Sequence, residues 1–236
     1  VVHLAASKDR GVDTAAYREG YETNLMGSLN LINACQDIPV LARFVFLGST
    51  DEYGKLQVPF KETEKEAPIN AYGASKLAVT ELLKTLARSN GFSSVILRPS
   101  IVYGPGQDDS MFLPALIRAL VAGNSFDMSL GEQTRDFVYV DDIADGFIRA
   151  IERDIPSGVY HLGSGLSTPA WKLCREAEKV TLGTSTLTED LLKREVPRQM
   201  VNFWAKIERA HELLGWEPKT SLDDGIVKTW KWMQSG

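Results

Sequence analysis

Residues 71–76 read Ala71-Tyr72-Gly73-Ala74-Ser75-Lys76, and they open the run Leu77-Ala78-Val79-Thr80-Glu81-Leu82-Leu83. The spacing predicts a helix on which Tyr72 and Lys76 lie one turn apart on the same face. An ammonium beside a phenol favours the phenolate, and in a site that excludes water it draws a phenol pKa of about 10 toward neutrality. Tyr72 is then a candidate general acid/base. A bare Tyr-x-x-x-Lys pattern also reads as an exposed aromatic and a solvated charge, so the neighbouring stretches decide. Upstream, Arg43-Phe44-Val45-Phe46-Leu47-Gly48 is a buried-strand run, and Ser49-Thr50 follow where such a strand opens into the carboxyl-end crevice of an α/β sheet. Downstream, Ser94-Val95-Ile96-Leu97-Arg98 is another buried strand. The order strand, helix, strand predicts a doubly wound, Rossmann-like parallel sheet, with the Ser49 hydroxyl able to share a substrate proton with Tyr72.

The remaining chain narrows the class. It has 236 residues, 26 Lys+Arg against 31 Asp+Glu, and 44 % hydrophobic content, enough for a sizeable core. The mild acidity, without a Lys/Arg run, argues against nucleic acid or an anionic membrane as partner. No apolar run of about 18 residues and no signal peptide is read, which predicts a cytoplasmic protein. Cys35 and Cys174 lie far apart in apolar helical settings and read as buried hydrophobes in a reducing compartment. The solitary His3, His161 and His211 have no metal-ligand spacing, and Asp141-Asp142 reads as acid at a helix start, so no metal is expected.

Seven stretches, in order, resemble the extended short-chain dehydrogenases/reductases that act on nucleotide-sugars, the NAD-dependent epimerase/dehydratase group. They are Val1-Val2-His3-Leu4-Ala5-Ala6 and Asn24-Leu25-Met26-Gly27-Ser28-Leu29-Asn30-Leu31, then Gly48-Ser49-Thr50-Asp51-Glu52-Tyr53-Gly54 and Tyr72-Gly73-Ala74-Ser75-Lys76. Leu97-Arg98-Pro99-Ser100-Ile101-Val102-Tyr103-Gly104-Pro105-Gly106, Arg135-Asp136-Phe137-Val138-Tyr139-Val140-Asp141-Asp142 and Leu213-Leu214-Gly215-Trp216-Glu217-Pro218 complete the set. The resemblance implies NAD or NADP as cofactor, a nucleotide-sugar substrate and a homodimer. It implies that Ala5, Ala6, Asn24, Tyr72, Lys76 and Pro99 line the cofactor, and that Phe112, Leu113, Arg135 and Arg198 contact the substrate, with Arg135 suited to a diphosphate. It also implies roughly sixty residues ahead of Val1, carrying the strand, glycine-rich turn and helix that hold a dinucleotide pyrophosphate.

By the same resemblance, Tyr72 takes the proton of the sugar 4-hydroxyl as hydride leaves C4, Ser49 hydrogen-bonds the reacting oxygen, and Lys76 holds the phenolate and the cofactor ribose. Thr50-Asp51-Glu52 resembles the elimination acids of 4,6-dehydratases, but it runs straight into Tyr53-Gly54, one residue short. Counting back from Tyr53-Gly54 places Ser49 as the catalytic hydroxyl, which favours an epimerase or 4-ketoreductase; if the deletion instead follows Glu52, Thr50, Asp51 and Glu52 keep dehydratase roles. A non-catalytic nucleotide-sugar-binding relative is the remaining alternative, and the presence of Ser49, Tyr72 and Lys76 together argues against it. Ile101 stands where the family usually carries Asn, and Val196-Pro197-Arg198-Gln199 replaces its late Arg-Pro-Gly.

The layout read from the sequence is a cofactor domain over 1–98, with 141–165 returning to it, and a smaller interleaved α/β substrate lobe over 99–140 and 166–236. Gly11 to Arg18 reads as a polar loop, followed by a helix with a Leu25, Leu29, Ile32, Cys35 stripe. Lys55 to Pro68 reads as a loop with solvated glutamates. The helix after Tyr72 runs to about Arg88 and ends at Asn90-Gly91. Helices are expected over 112–122, near 169–180, over 205–214 and over 221–234, the last with a Leu222, Ile226, Trp230, Met233 core stripe.

Overall fold

The structure is a computed structural model, and it describes residues 1–36, 38, 41–128, 131–183, 192–194 and 202–235. The chain divides into two compact units, Val1–Ser100 with Ala144–Leu162 and Ala205–Glu217, and Ile101–Ile143 with Gly163–Trp204 and Pro218–Gly236.

The first unit is built on four parallel strands, β1 (Val2–His3), β2 (Phe44–Leu47), β3 (Ser94–Pro99) and β8 (Gly158–Leu162), hydrogen-bonded in that order. β3 is buried at every position and β2 at three of four, as the continuous apolar runs require of a parallel sheet covered on both faces. Between β1 and β2 run α1 (Thr14–Gly20), a π-helical stretch (Tyr21–Met26) and α2 (Gly27–Gln36). Between β2 and β3 comes α3 (Ala71–Asn90). Ile32, Cys35, Phe44, Phe46, Val79, Leu83, Ile96 and Val159 form the core between helices and sheet.

Local chemistry sets the helix ends. Asn70 accepts the Gly73 N–H at 2.8 Å and so caps α3, and Gly91, with φ +72°, closes it in the left-handed region that glycine tolerates. Asp13 caps α1 by accepting from Ala15 and Ala16, so helix already begins inside the stretch 11–18 that reads as a loop. The predicted stripe is kept at three of its four positions, with Ile32 and Cys35 buried and Leu25 packed against the core. Asn24, Ser28, Ile32 and Cys35 face inward while Leu29 is 37 % exposed. Around the π-helical turn the polar Asn24 and Ser28 are buried alongside Leu25, and Leu29 turns outward.

Two further expectations are corrected here. Two of the three loop glutamates are not solvated: Glu66 binds the buried Arg98 at 2.7 Å, and Glu62 accepts the His161 N–H at 3.2 Å. Residues 205–217, read as part of the substrate lobe, belong to the first unit. Ala205 bridges Phe60, Lys206 donates its N–H to Phe60 O at 2.9 Å, and Trp216 is wholly buried. The helix expected over 205–214 is reduced to a π-helical segment, Ala210–Leu214.

The second unit pairs β4 (Ile101–Tyr103) with β7 (Phe137–Tyr139) in parallel, β6 (Thr134–Arg135) with β9 (Thr168–Pro169) antiparallel, and β5 (Phe126–Met128) with β10 (Leu192–Arg194) in parallel. Helices α4 (Phe112–Ala122), α6 (Ala170–Leu182) and α7 (Leu222–Ser235) surround a core that includes Tyr103, Leu116, Tyr139, Leu173 and Ile226. Leu222, Trp230 and Met233 pack against it, as their spacing predicts. Helix α5 (Val140–Glu152) begins in this unit and continues in the first. Its Asp142 accepts the N–H groups of Lys219 and Thr220 at 3.2 and 3.0 Å, tying the approach to α7. Asp136, fully buried, accepts from Ser164 N and Oγ, both at 2.6 Å.

Candidate active site

The residues that carry the predicted chemistry gather at the carboxyl ends of the first unit's strands. Ser49 follows β2 in extended conformation and caps a 3₁₀ turn, Thr50–Tyr53. Its Oγ accepts the Asp51 N–H at 3.1 Å, and its own N–H donates to Glu52 Oε1 at 2.8 Å. That reciprocal capping box fixes the Ser49 backbone. The Ser49 hydroxyl lies close enough to the Tyr72 phenol to act on its ionisation.

Tyr72 and Lys76 stand on the first two turns of α3. Lys76 is 1 % exposed, yet its ammonium makes no direct approach to the phenol oxygen. It donates to Leu47 O at 2.8 Å and sits 4.7 Å from the Phe46 ring centroid and 5.8 Å from that of Tyr72. The expected drop of the Tyr72 pKa toward neutrality is therefore not found. Burial, then the Asp51 carboxylate, push the phenol up to about 12, against smaller downward pulls from the Ser49 hydroxyl and Arg10. The Lys76 ammonium moves the other way: burial brings it down to about 8, with Glu52 opposing.

Asn24 is 2 % exposed and belongs to the framework of the site. Its Oδ1 accepts the Ser7 N–H at 2.7 Å, and its Nδ2 donates to Ser7 O at 3.1 Å and to Ser75 Oγ at 2.8 Å. Ser75 Oγ in turn donates to Tyr72 O at 2.9 Å, so one amide ties the segment after β1 to the first turn of α3. Ser28 extends the chain, donating to Asn24 O at 2.5 Å and meeting His3 Nε2 at 2.8 Å. Gly73 is required by this packing. A Cβ there would lie 2.5 Å from Asp51 O.

Of the three residues read as elimination candidates, Glu52 is fully buried. Its Oε2 binds Arg98 Nη2 at 2.5 Å, so both carboxylate oxygens serve the fold. Arg98 also binds Glu66 and lies 4.6 Å from the Tyr53 ring centroid. Burial opposes ionisation of Glu66, but the Arg98 bonds hold its carboxyl below the ordinary value. Thr50 Oγ1 donates to Pro99 O at 3.2 Å, joining the ends of β2 and β3. Asp51 faces Tyr72 and pairs with Arg10 at 2.8 Å. Below this layer, burial keeps His161 neutral: its Nδ1 meets Lys206 O, an acceptor only, at 3.0 Å, so Nε2 accepts the Tyr53 O–H at 2.8 Å.

Ala5, Ala6 and Pro99 lie at the ends of β1 and β3, in the first unit. The expected substrate contacts lie in the second. Phe112 opens α4, half-exposed against Phe126 at 5.4 Å, while Leu113 is buried in the core and so serves packing. Arg135 is half-buried, donates from Nη1 to Thr134 O at 2.9 Å, and is drawn below its ordinary value by burial. Arg198 lies outside the described residues. Arg10, Ser75 and Glu66 were not singled out from sequence. A charged Arg98 inside an apolar strand was the one available signal that buried acids must meet it.

A parallel α/β sheet with serine at one strand end and Tyr-x-x-x-Lys on the following helix defines an extended short-chain dehydrogenase/reductase. The chain belongs to the NAD dependent epimerase/dehydratase family, whose description it matches over residues 1–163. It is 28 % identical over 257 residues to the UDP-glucose 4-epimerase of Yersinia enterocolitica, spanning 99 % of this chain and 75 % of that protein. It is also 28 % identical over 240 residues to the dTDP-D-glucose 4,6-dehydratase of Bos taurus, of which it spans 66 %. Among solved structures, it resembles UDP-glucuronic acid 4-epimerase from Bacillus cereus, in complex with NAD and a fluorinated UDP-sugar, at TM-score 0.87 and 26 % identity over 99 % of this chain and 74 % of that one. UDP-glucose 4-epimerase from Thermotoga maritima, with UDP-glucose, gives TM-score 0.87 and 29 % identity over 99 % and 76 %.

The residues present fit a nicotinamide dinucleotide. The buried Lys76 ammonium has three N–H donors and gives one to Leu47 O, leaving two to address vicinal hydroxyls such as those of a ribose. Among the described residues, no helix is long and apolar enough to cross a membrane.

Proposed function

We propose that this chain carries the acid/base machinery of a nucleotide-sugar 4-epimerase or 4-ketoreductase. The observation that carries the reading is the convergence of Ser49, Tyr72 and Lys76 at the strand ends, with Glu52 held away from chemistry by Arg98. A bound NAD or NADP supplies the hydride acceptor and donor. Tyr72, as phenolate, takes the proton of the sugar C4 hydroxyl and returns it to the reduced carbonyl. Ser49 donates its O–H to the oxygen that Tyr72 serves and so orients the exchange. Lys76 places a buried positive charge on the phenolate's side of α3 and offers its remaining donors to the cofactor. Arg135 meets the diphosphate of the nucleotide-sugar, and the exposed Tyr21 and Met26 on the π-helical stretch and Leu29 on α2 support the α2 side of a homodimer formed through α2 and α3 in the cytoplasm.

The test is turnover of UDP-glucose and UDP-glucuronic acid with added NAD, followed by NMR of the sugar anomers. Conversion at C4 is expected, and Tyr72→Phe should reduce it by about 10²–10⁴-fold without loss of fold. Formation of a 4-keto-6-deoxy product from dTDP-glucose would instead establish the dehydratase reading, with Asp51 as its acid.

A further inference from the structure

Two charged side chains touch the Tyr72 environment without a place in the proton path. We propose that Arg10 and Asp51 act as one positioning pair that governs the protonation of Tyr72, a role that rests on Tyr72 being the acid/base of this site. Arg10 lies on the segment after β1, 41 residues from Asp51, and its Nε donates to Asp51 Oδ2 at 2.8 Å. The same guanidinium stands over the phenol, its Cζ 4.9 Å from the ring centroid. Asp51 is joined to the site in three ways. Its N–H fixes Ser49 Oγ, its carbonyl packs on Gly73 next to Tyr72, and its carboxylate is the foremost charge opposing the phenolate.

The other charges that face Tyr72 are committed elsewhere. Glu52, on the same 3₁₀ turn, is neutralised inside the fold by Arg98, and Lys76, on α3 itself, points its ammonium at Leu47 O. The balance at the phenol therefore turns on the pair at its mouth. Left alone, the Asp51 carboxylate would hold the proton on Tyr72. With the Arg10 cation paired to it and stacked on the ring, part of that field is cancelled and a phenolate is favoured. Both members are partly exposed, with Arg10 at 57 % and Asp51 at 21 %, so a substrate that reaches the phenol also displaces the water that screens them.

The experiment titrates Tyr72 directly, by NMR of chain labelled with ¹³Cζ-tyrosine, its resonance assigned by Tyr72→Phe and the fold monitored by circular dichroism. Asp51→Asn should lower the Tyr72 midpoint by about one pH unit, the size of effect that a neighbouring charge exerts in an effective dielectric between protein and water. Arg10→Gln should leave Tyr72 protonated to the highest pH at which the fold survives. The Arg10→Gln/Asp51→Asn double variant should titrate between the Asp51→Asn variant and the parent, because the carboxylate acts on the phenol more strongly than the guanidinium does. Single variants that titrate as the parent does would overturn the pairing. If the midpoints move as stated and no nucleotide-sugar is turned over, the pair stands and the proposed function fails; turnover with unmoved midpoints has the opposite meaning.

Discussion

Replacing Lys76 by Met removes a charge that the fold buries at a cost. The ammonium falls from its ordinary 10.5 to about 8 in the folded chain, chiefly through burial. The folded state therefore binds fewer protons than the unfolded chain between those two values, and stability must rise with pH across that window. Two and a half pH units correspond to a penalty of about 3 kcal/mol, fully present below pH 8. Between pH 7 and 9.5, the linkage relation returns about 2 kcal/mol of it. Lys76→Met cannot titrate, so its unfolding free energy should lack this rise while sharing every other pH effect with the parent. Urea unfolding of both chains at pH 7, 8.5 and 9.5 measures the difference. The parent should gain about 2 kcal/mol relative to the variant over that range. Parallel pH dependences would mean that the ammonium is hydrated in solution, and that its hold on Leu47 O and the Phe46 face is not that of a desolvated group.

Three further outcomes follow from the packing. Glu52→Ala should lose about 3–5 kcal/mol and drop the melting temperature sharply, because it leaves the buried Arg98 with Glu66 as its remaining carboxylate and takes the acceptor from the Ser49 N–H. A Glu52→Met/Arg98→Met pair should recover much of that loss; if the double variant is no more stable than the single, the ion pair is not what Glu52 supplies. Gly73→Ala should cost about 1–3 kcal/mol by thermal melt, since its Cβ meets Asp51 O and neither backbone can yield cheaply. Asn24→Ala should weaken the tie between Ser7 and Ser75 and lower stability by about 1–3 kcal/mol, leaving two backbone groups of Ser7 and the Ser75 hydroxyl short of a partner.

The parallel sheet and its helix α3 were readable because their information is local. Buried runs of Phe, Val, Leu and Ile alternate with a capped amphipathic helix, and the Asn90-Gly91 end falls where the structure puts it. The site was readable in part for the same reason, since Ser49 and Tyr72–Lys76 each sit at the end of an element whose limits the sequence marks. What the sequence hid was set by chain-distant partners. Nothing in Arg10 announces that it crosses 41 residues to reach Asp51. Glu66 and Glu62 read as solvent-facing because their partners, Arg98 and the His161 N–H, lie on strands distant in the chain. Leu29, the one member of the helical stripe that turns outward, was misread for a local reason of another kind, since a π-helical turn leaves no mark in a 3.6-residue period.

Those long-range ties also decide which acid could separate one reaction from another. Glu52 holds the Ser49 N–H with one oxygen and Arg98 with the other, and Arg98 reaches on to Glu66. Removing it would disturb the strand ends, the serine and the fold together, so loss of activity in a Glu52 variant would carry no information about elimination chemistry. Asp51 is different. Its carboxylate is partly exposed, is held among the described residues by an exposed arginine, and faces the phenol. A charge so placed can either tune the proton on Tyr72 or act on the substrate itself, and the two roles predict opposite responses to Asp51→Asn. Tuning predicts a Tyr72 that ionises more readily, with epimerisation kept and its acid limb moved downward in pH. Elimination predicts that the keto sugar forms and water is not lost. The discriminating residue of this site is therefore the aspartate, and the adjacent glutamate belongs to the framework that presents it.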